Sequence, residues 1–267
     1  MTATFCFETS AITKRMKNNT MESVEVTGIV LSSMPVGEAD RRLLLLTREL
    51  GKISAFARGA RKPTSTLVSS TRPFAFGKFH IFPGRNSYSV HRTEIQEYFE
   101  PLVMDISKSA YGCYFLELSG MFARENTDES ETLLLLYYSL KALLNERIPD
   151  TLVQRIFELK LLQLNGLLPE FSVCGRCRRE ITEGIFKPGL MQVVCADCAG
   201  EDTSGFPLSK SALFALNHLR AAAPNKLYTF MLTDEVFREV ADLTEFLLNR
   251  SLDRPPVSRE MLTIFTE

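Results

Sequence analysis

The sequence predicts a multidomain α+β protein: a small five-stranded barrel followed by an all-helical domain into which a four-cysteine module is inserted. Three observations carry this. Apolar residues change from strand-like alternation to helical spacing near residue 100, four of the six cysteines stand in two C-x2-C pairs, and the basic residues crowd ahead of the change in period. The expected divisions are a leader at 1–21, the barrel at 22–100, helices at 101–171, the cysteine module at 172–204 and further helices at 205–267.

The leader holds Phe5, Cys6 and Phe7 but no sustained apolar run. Its basic Lys14, Arg15 and Lys17 follow that stretch instead of preceding it, unlike a secretory signal. Met16 and Met21 stand just ahead of the first patterned segment, so a flexible leader is expected. No apolar run approaches the roughly 18 residues that cross a bilayer, so no membrane partner is expected. The compartment is expected to be a reducing cytoplasm, where clustered cysteines bind metal more often than they form disulfides.

Five strands are expected between residues 22 and 100. Val24–Leu31 is β-branched and alternating; Arg42–Thr47 is an apolar run closed by the turn Arg48-Glu49-Leu50-Gly51; Lys52–Ala57 is short. A basic, Ser/Thr-rich loop covers Arg58 to Thr71. Phe74–Phe82 and Tyr88–Phe99 follow, joined by Pro83-Gly84-Arg85-Asn86-Ser87 as a hairpin loop. Five short strands without a full-length helix make a small closed or partly open barrel, and an SH3-like barrel fits the count nearly as well.

Beyond Pro101, Tyr111, Phe115, Leu118 and Phe122 recur at helical spacing, as do Leu133, Leu136, Tyr137, Leu140 and Leu144. Asp150 is a candidate cap for a helix carrying Leu152, Ile156 and Leu159, which should stop at Asn165-Gly166. Ser209 is expected to cap a helix ending at Ala221. Asp234–Asn249 should form the last, with Val236, Phe237, Val240, Leu243, Phe246 and Leu247 on one face.

Cys174 and Cys177 are followed, after seventeen residues, by Cys195 and Cys198. That spacing belongs to four-cysteine zinc sites: each two-residue gap turns both thiolates of a pair toward one ion. Gly175 eases the first turn, and Arg176, Arg178 and Arg179 offset thiolate charge. Pro188-Gly189, between Ile185-Phe186 and Val193-Val194, should form a hairpin that brings the pairs together. Four sulfur ligands close the tetrahedron, so one structural zinc is expected rather than a catalytic one. A redox pair would need only one C-x-x-C.

The formal net charge of −1 conceals an asymmetry. Between Arg41 and Arg92 stand eleven Lys/Arg and one acid, Glu49; from Pro101 onward, 17 basic residues face 23 acidic ones. Such a module is either a polyanion-binding surface or a solvated basic face without a ligand. Arg58, Arg61, Lys62, Arg72, Lys78 and Arg85 are the candidates for phosphate contact. On the fourth strand Phe74, Phe76, Lys78, His80 and Phe82 share one parity, and Phe79 and Ile81 the other. One set faces the core, with Gly77 a possible bulge, and an exposed set would offer stacking for bases. His80, His91 and His218 read as strand or helix residues, not as ligands or bases.

The sequence nominates no catalytic group. It has no G-x-x-x-x-G-K loop, no G-x-S-x-G elbow and no H-E-x-x-H pair, and its acids are scattered.

Taken in order, these features resemble the RecO family of bacterial recombination mediators, from Glu22 onward. Gly28-Ile29-Val30-Leu31 and Gly37-Glu38-Ala39-Asp40-Arg41-Arg42 are similar to its first two strands. Thr47–Lys52 and Ala57-Arg58-Gly59-Ala60-Arg61-Lys62 are similar to its next strand and basic loop, and Pro73-Phe74 to the start of its fourth strand. Leu164-Asn165-Gly166-Leu167-Leu168-Pro169 before Cys174 resembles its entry into a zinc module. The resemblance implies an OB-fold that binds single- and double-stranded DNA, annealing of complementary strands, and, with RecR, replacement of single-strand-binding protein by RecA. It also implies that the helical body meets the acidic tail of single-strand-binding protein, for which Arg124 beside Phe122 is a candidate. A zinc-ribbon RNA-binding or transcription accessory factor is the alternative class, and a metal-dependent nuclease a third.

Overall fold

The computed structural model describes residues 23–266, so the expected leader lies outside the described residues. The described chain divides into two compact units. One contains the residues through Pro101 with Leu116–Leu133, and the other contains Leu102–Phe115 with everything from Leu134.

In the first unit, β1 (Val24–Val36), β2 (Asp40–Thr47), β3 (Gly51–Ala57), β4 (Phe76–Pro83) and β5 (Tyr88–Glu97) close a barrel in the order β1-β2-β3-β5-β4. All joins are antiparallel except β3–β5, which is parallel over Ala55↔Tyr88, Phe56↔Ser89 and Ala57↔Val90. This closed five-stranded order is that of the OB-fold, and the SH3-like alternative falls. Strand alternation fills the interior with Val26, Val30, Leu43, Leu45, Ile53, Ala55, Ala57, Phe79, Ile81 and Val90.

β1 serves two neighbours. Its first half pairs with β4 and its second with β2, and the register shift between Val30 and Ser32 bends it from one to the other. Gly28 and Gly77 face each other at the crossing, where the backbones approach too closely for a side chain. A Cβ on Gly77 would lie 2.3 Å from the Glu94 carbonyl oxygen. The expected bulge at Gly77 is present in its pairing with β5, yet burial still alternates along β4, so Phe79 and Ile81 point inward while Phe76, Lys78, His80 and Phe82 point outward.

Phe74 belongs to neither set. It lies ahead of the strand with φ of 72°, and its side chain is buried. The Ser/Thr-rich loop holds one helical turn, α1 (Leu67–Ser70), whose Leu67 joins the barrel core. At the β2–β3 turn, Gly51 adopts φ of 65°, and a Cβ there would meet the Arg124 carbonyl oxygen at 2.1 Å. That approach lets residues 124–126 dock on β3: Lys52 N donates to Arg124 O at 2.8 Å and Asn126 N to Leu50 O at 2.9 Å.

The helices are α2 (Glu100–Met104), α3 (Ile106–Phe122), α4 (Ser130–Leu143) and α5 (Asp150–Leu164), followed by α6 (Ala196–Ala199), α7 (Lys210–Ala221), α8 (Asp234–Ser251) and α9 (Arg259–Thr266). Helix α5 is the core of the second unit. Its apolar residues from Leu152 to Leu162 are buried, and Phe157 stacks on Phe115 with centroids 4.3 Å apart. Most of its buried polar groups are partnered, Gln163 Oε1 being the exception. Glu158 accepts from Tyr114 Oη at 2.6 Å, Gln154 Nε2 at 2.8 Å and Arg155 Nη1 at 2.9 Å. Lys160 Nζ donates to the Leu219 and Arg220 carbonyls at the end of α7. Pro149, not Asp150, is the N-cap of α5, whereas Ser209 caps α7 as expected, accepting from Ala212 N at 3.2 Å.

Between α5 and α7 the chain forms a three-stranded sheet of order β7-β6-β8, from β6 (Gly184–Lys187), β7 (Gln192–Val194) and β8 (Phe206–Leu208). Pro188-Gly189 turns β6 into β7 as its composition dictates. Phe186 reaches Phe206 and Phe246, which seats this sheet on α8. No helix of the described residues is long and apolar enough to cross a membrane.

Candidate metal centre and nucleic-acid interface

The two cysteine pairs meet because the backbone makes them meet. After buried Phe171, Cys174 N donates to Arg179 O at 2.8 Å, closing the first turn, and Arg178 takes φ of 62° to complete it. Gly175 N donates to Val193 O at 2.8 Å, which fastens that turn to β7. β7 then runs directly into Cys195, the N-cap of α6, and Cys198 lies one turn along.

The four Sγ atoms lie within 4.8 Å of one another, and Cys177 and Cys195 are 3.8 Å apart. A tetrahedron with metal–sulfur bonds of about 2.3 Å has edges of about 3.8 Å, whereas a disulfide would need about 2.05 Å. The donor set and its spacing fit one tetrahedral ion. Cys174, Cys177 and Cys198 differ in how readily they ionise. Burial opposes ionisation of Cys174, but the N–H groups of Cys177, Cys195 and Arg176 bring it down to about 6. Arg179 lowers Cys177, while hydrogen bonding to Cys177 and Cys195 pushes Cys198 up to about 12. A dication removes that difference by taking all four as thiolates.

Around the ligands, Arg176 Nη1 donates to Cys198 O at 2.8 Å, and Arg179 Nη2 pairs with Asp197 at 2.7 Å. Across residues 172–204, Arg176, Arg178, Arg179 and Lys187 are outnumbered by Glu180, Glu183, Asp197, Glu201 and Asp202. The module as a whole is therefore slightly acidic, unlike the barrel's basic loop.

The basic candidates separate into three places. Arg58, Arg61 and Lys62 are exposed on the loop leaving β3, and that loop is pinned to the β1–β2 turn. Gly59 N donates to Asp40 Oδ1 at 2.7 Å, Arg61 N to Ala39 O at 2.8 Å and Arg61 Nη1 to Gly37 O at 3.0 Å. Arg72 joins this end of the barrel, because Arg41, opposite Ala57, reaches Thr71 at 3.4 Å. Arg85 stands toward the other end of β3, lining a polar hollow of about 400 Å³ with Lys52, Ser54, Tyr88 and Glu125. Lys78 projects from β4 and is paired with Glu25 at 2.8 Å, so its charge is already offset. The side chains of Arg58, Lys62, Arg72 and Arg85 have no partner among the described residues.

Sequence reading missed the outer face beside the pinned loop. Met34, Arg42, Phe56 and Ser89 form one cross-strand row over β1, β2, β3 and β5, with Arg42 Nε donating to Ser54 Oγ at 3.1 Å. Parity supplied the signal: Arg42 and Phe56 lie out of phase with Leu43, Ala55 and Ala57. OB-folds bind oligonucleotides on this face of strands 2 and 3. His80 and His91 are strand residues as expected, with His80 Nε2 3.6 and 3.5 Å from Glu25 and Glu94. Arg124 is exposed and groups with the barrel unit.

Residues 21–99 match the family model described as Recombination protein O N terminal, and residues 103–260 match Recombination protein O C terminal. The chain is 30% identical over 249 residues to the DNA repair protein RecO of Clostridium perfringens, covering 92% of this chain and 100% of that one. It is 32% identical over 243 residues to that of Desulforudis audaxviator, covering 91% and 97%. It is 27% identical over 235 residues to that of Acetivibrio thermocellus, covering 88% and 94%. An OB barrel followed along the chain by helices and a cysteine cluster, with residues 21–99 and 103–260 matched by the two halves of one family, places this chain in the RecO family of DNA repair proteins.

Proposed function

We propose that the chain is a non-enzymatic recombination mediator of the bacterial cytoplasm that binds single- and double-stranded DNA and anneals complementary strands. With RecR, it promotes loading of RecA onto DNA coated by single-strand-binding protein, whose C-terminal tail it also contacts. Arg58, Arg61 and Lys62, with Arg72, hold phosphates; Arg85 and Lys78 contribute less. The domain division is the barrel at 22–100, helices at 101–171 and 205–267, and a module at 172–204 in which Cys174, Cys177, Cys195 and Cys198 hold one structural zinc. Neutralising two strands on one protein is enough to bring complementary bases together, with no bond made or broken.

The observation that carries this reading is the pinned loop. Three exposed cations are fixed by Asp40 and the Ala39 carbonyl beside the outward Arg42 and Phe56, which pairs charge with an aromatic surface. The acidic balance of the cysteine module gives the zinc-ribbon RNA-binding alternative no comparable surface. Annealing of complementary oligonucleotides precoated with single-strand-binding protein tests the proposal. Acceleration by the wild type that is lost in an Arg58→Ala, Arg61→Ala, Lys62→Ala variant is expected. Equal rates with and without protein would refute it, and tighter binding to structured RNA than to single-stranded DNA at equal salt would favour the alternative.

A further inference from the structure

Of the four cysteines, Cys177, Cys195 and Cys198 are partly exposed and Cys174 is buried. Cys174 takes an N–H from the opposite turn, Cys195 N at 3.4 Å. Cys177 is served by a side chain as well as by the Arg179 N–H. Arg179 Nε donates to its Sγ at 3.4 Å, while Nη2 of the same guanidinium bonds Asp197 Oδ2 at 2.7 Å, eighteen residues away and between Cys195 and Cys198. One planar group thus spans from a ligand of the first turn to the flank of the second.

An exposed ion pair of this kind contributes little to stability by itself, since it orders two mobile side chains in water. Its placement over a thiolate gives it another role. A dication on four thiolates leaves a net charge of −2, and a charge-assisted N–H on sulfur both offsets that charge and fixes the sulfur's direction.

We propose that Arg179, oriented by Asp197, is a positioning residue for the metal, holding the accessible Cys177 thiolate in its ligating geometry and slowing loss of the ion. This rests on the reading that the four cysteines bind zinc. The Arg178 side chain next to it is exposed and has no partner among the described residues, and only its backbone serves the turn.

The test uses the full chain and reads metal affinity. Zinc content per chain is measured first, then zinc affinity by chelator competition at fixed pH, then the thiolate-to-metal absorption of the cobalt(II)-substituted protein. Arg179→Ala should weaken zinc binding about 10- to 100-fold, the range for loss of an outer-shell partner, and should shift the cobalt band. Asp197→Asn should weaken it less. Arg179→Lys should recover part of the affinity without the wild-type band, and Arg178→Ala should match wild type in both. If Arg179→Ala does not fold, the lysine and Asp197→Asn variants decide in the same way. Equal affinity and an unshifted band in the Arg179, Asp197 and Arg178 variants would overturn the role of Arg179 alone. A wild-type chain that binds no zinc would overturn the metal reading beneath it.

Discussion

Replacing Arg58, Arg61 and Lys62 by alanine separates phosphate contact from ordinary surface charge, because the barrel supplies its own control in Lys78. Each cation that neutralises a phosphate of a single strand adds about 0.7 to the slope of log affinity against log salt. Removing three should flatten the slope by about 2. Over a fourfold rise from 50 to 200 mM salt, wild type should therefore lose about 20-fold more affinity than the triple variant. Lys78 sits 2.8 Å from Glu25, and the ammonium beside that carboxylate holds it below its ordinary range. Lys78→Ala should leave the slope almost unchanged. Asp40→Ala makes a third arm: it frees Gly59 N and loosens the loop while removing a negative charge. Affinity should fall although the local field becomes more positive, and the slope should stay near that of wild type. Fluorescence anisotropy of a labelled oligonucleotide across a salt series reads all three. A slope equally flattened by Lys78→Ala, or unmoved by the triple variant, would refute the reasoning.

Glu158→Ala should cost about 3 kcal/mol in urea unfolding, because it leaves the Tyr114 hydroxyl and the Gln154 amide without their acceptor and Arg155 with Glu245 alone; a loss below about 1 kcal/mol would contradict the network described for α5. Glu170 is held at about 2 by the Arg220 guanidinium and the Ser172 hydroxyl, below its unfolded value. Its contribution is therefore complete above about pH 4.3 and lost as pH falls toward 2. Thermal melts of wild type and Glu170→Gln should converge over that window, and a constant difference down to pH 2 would be evidence against it. Removing zinc with a strong chelator should withdraw most of about 10–16 kcal/mol of apparent binding energy. Limited proteolysis should then cut between 172 and 204 well before the barrel is touched.

How much of this was legible in the sequence varied with the physics involved. Local signals were read correctly: the short strand at Lys52–Ala57, the cap at Ser209, the stop at Asn165-Gly166 and the Pro188-Gly189 hairpin all depend on residues a few places apart. A barrel was legible from the strand count, but its order was not: the parallel contact of residues 55–57 with 88–90 leaves no periodic trace, and an SH3-like count matched nearly as well. Leu67 went unremarked because one helical turn inside a polar loop lacks a period, and only the barrel end it fills reveals its role. Among the cations, sequence gave identity but not company. Lys78 looked like Arg58 until Glu25 appeared beside it across the β1–β4 join. The cysteines were the reverse case, because metal spacing is a local rule. The span of Arg179 to Asp197 was invisible, because it depends on how the two turns face each other.

The join between β3 and β5 holds only three register pairs, where β2 and β3 share seven. Local opening begins where fewest backbone bonds resist it, and this seam borders Phe56 and leads straight into the loop that bears Arg58. A nucleic acid strand lying across both edges would act as a clasp on the cylinder's slit. Occupancy and rigidity would then rise together, and amide exchange at Ala55, Ala57 and Val90 would slow most upon loading.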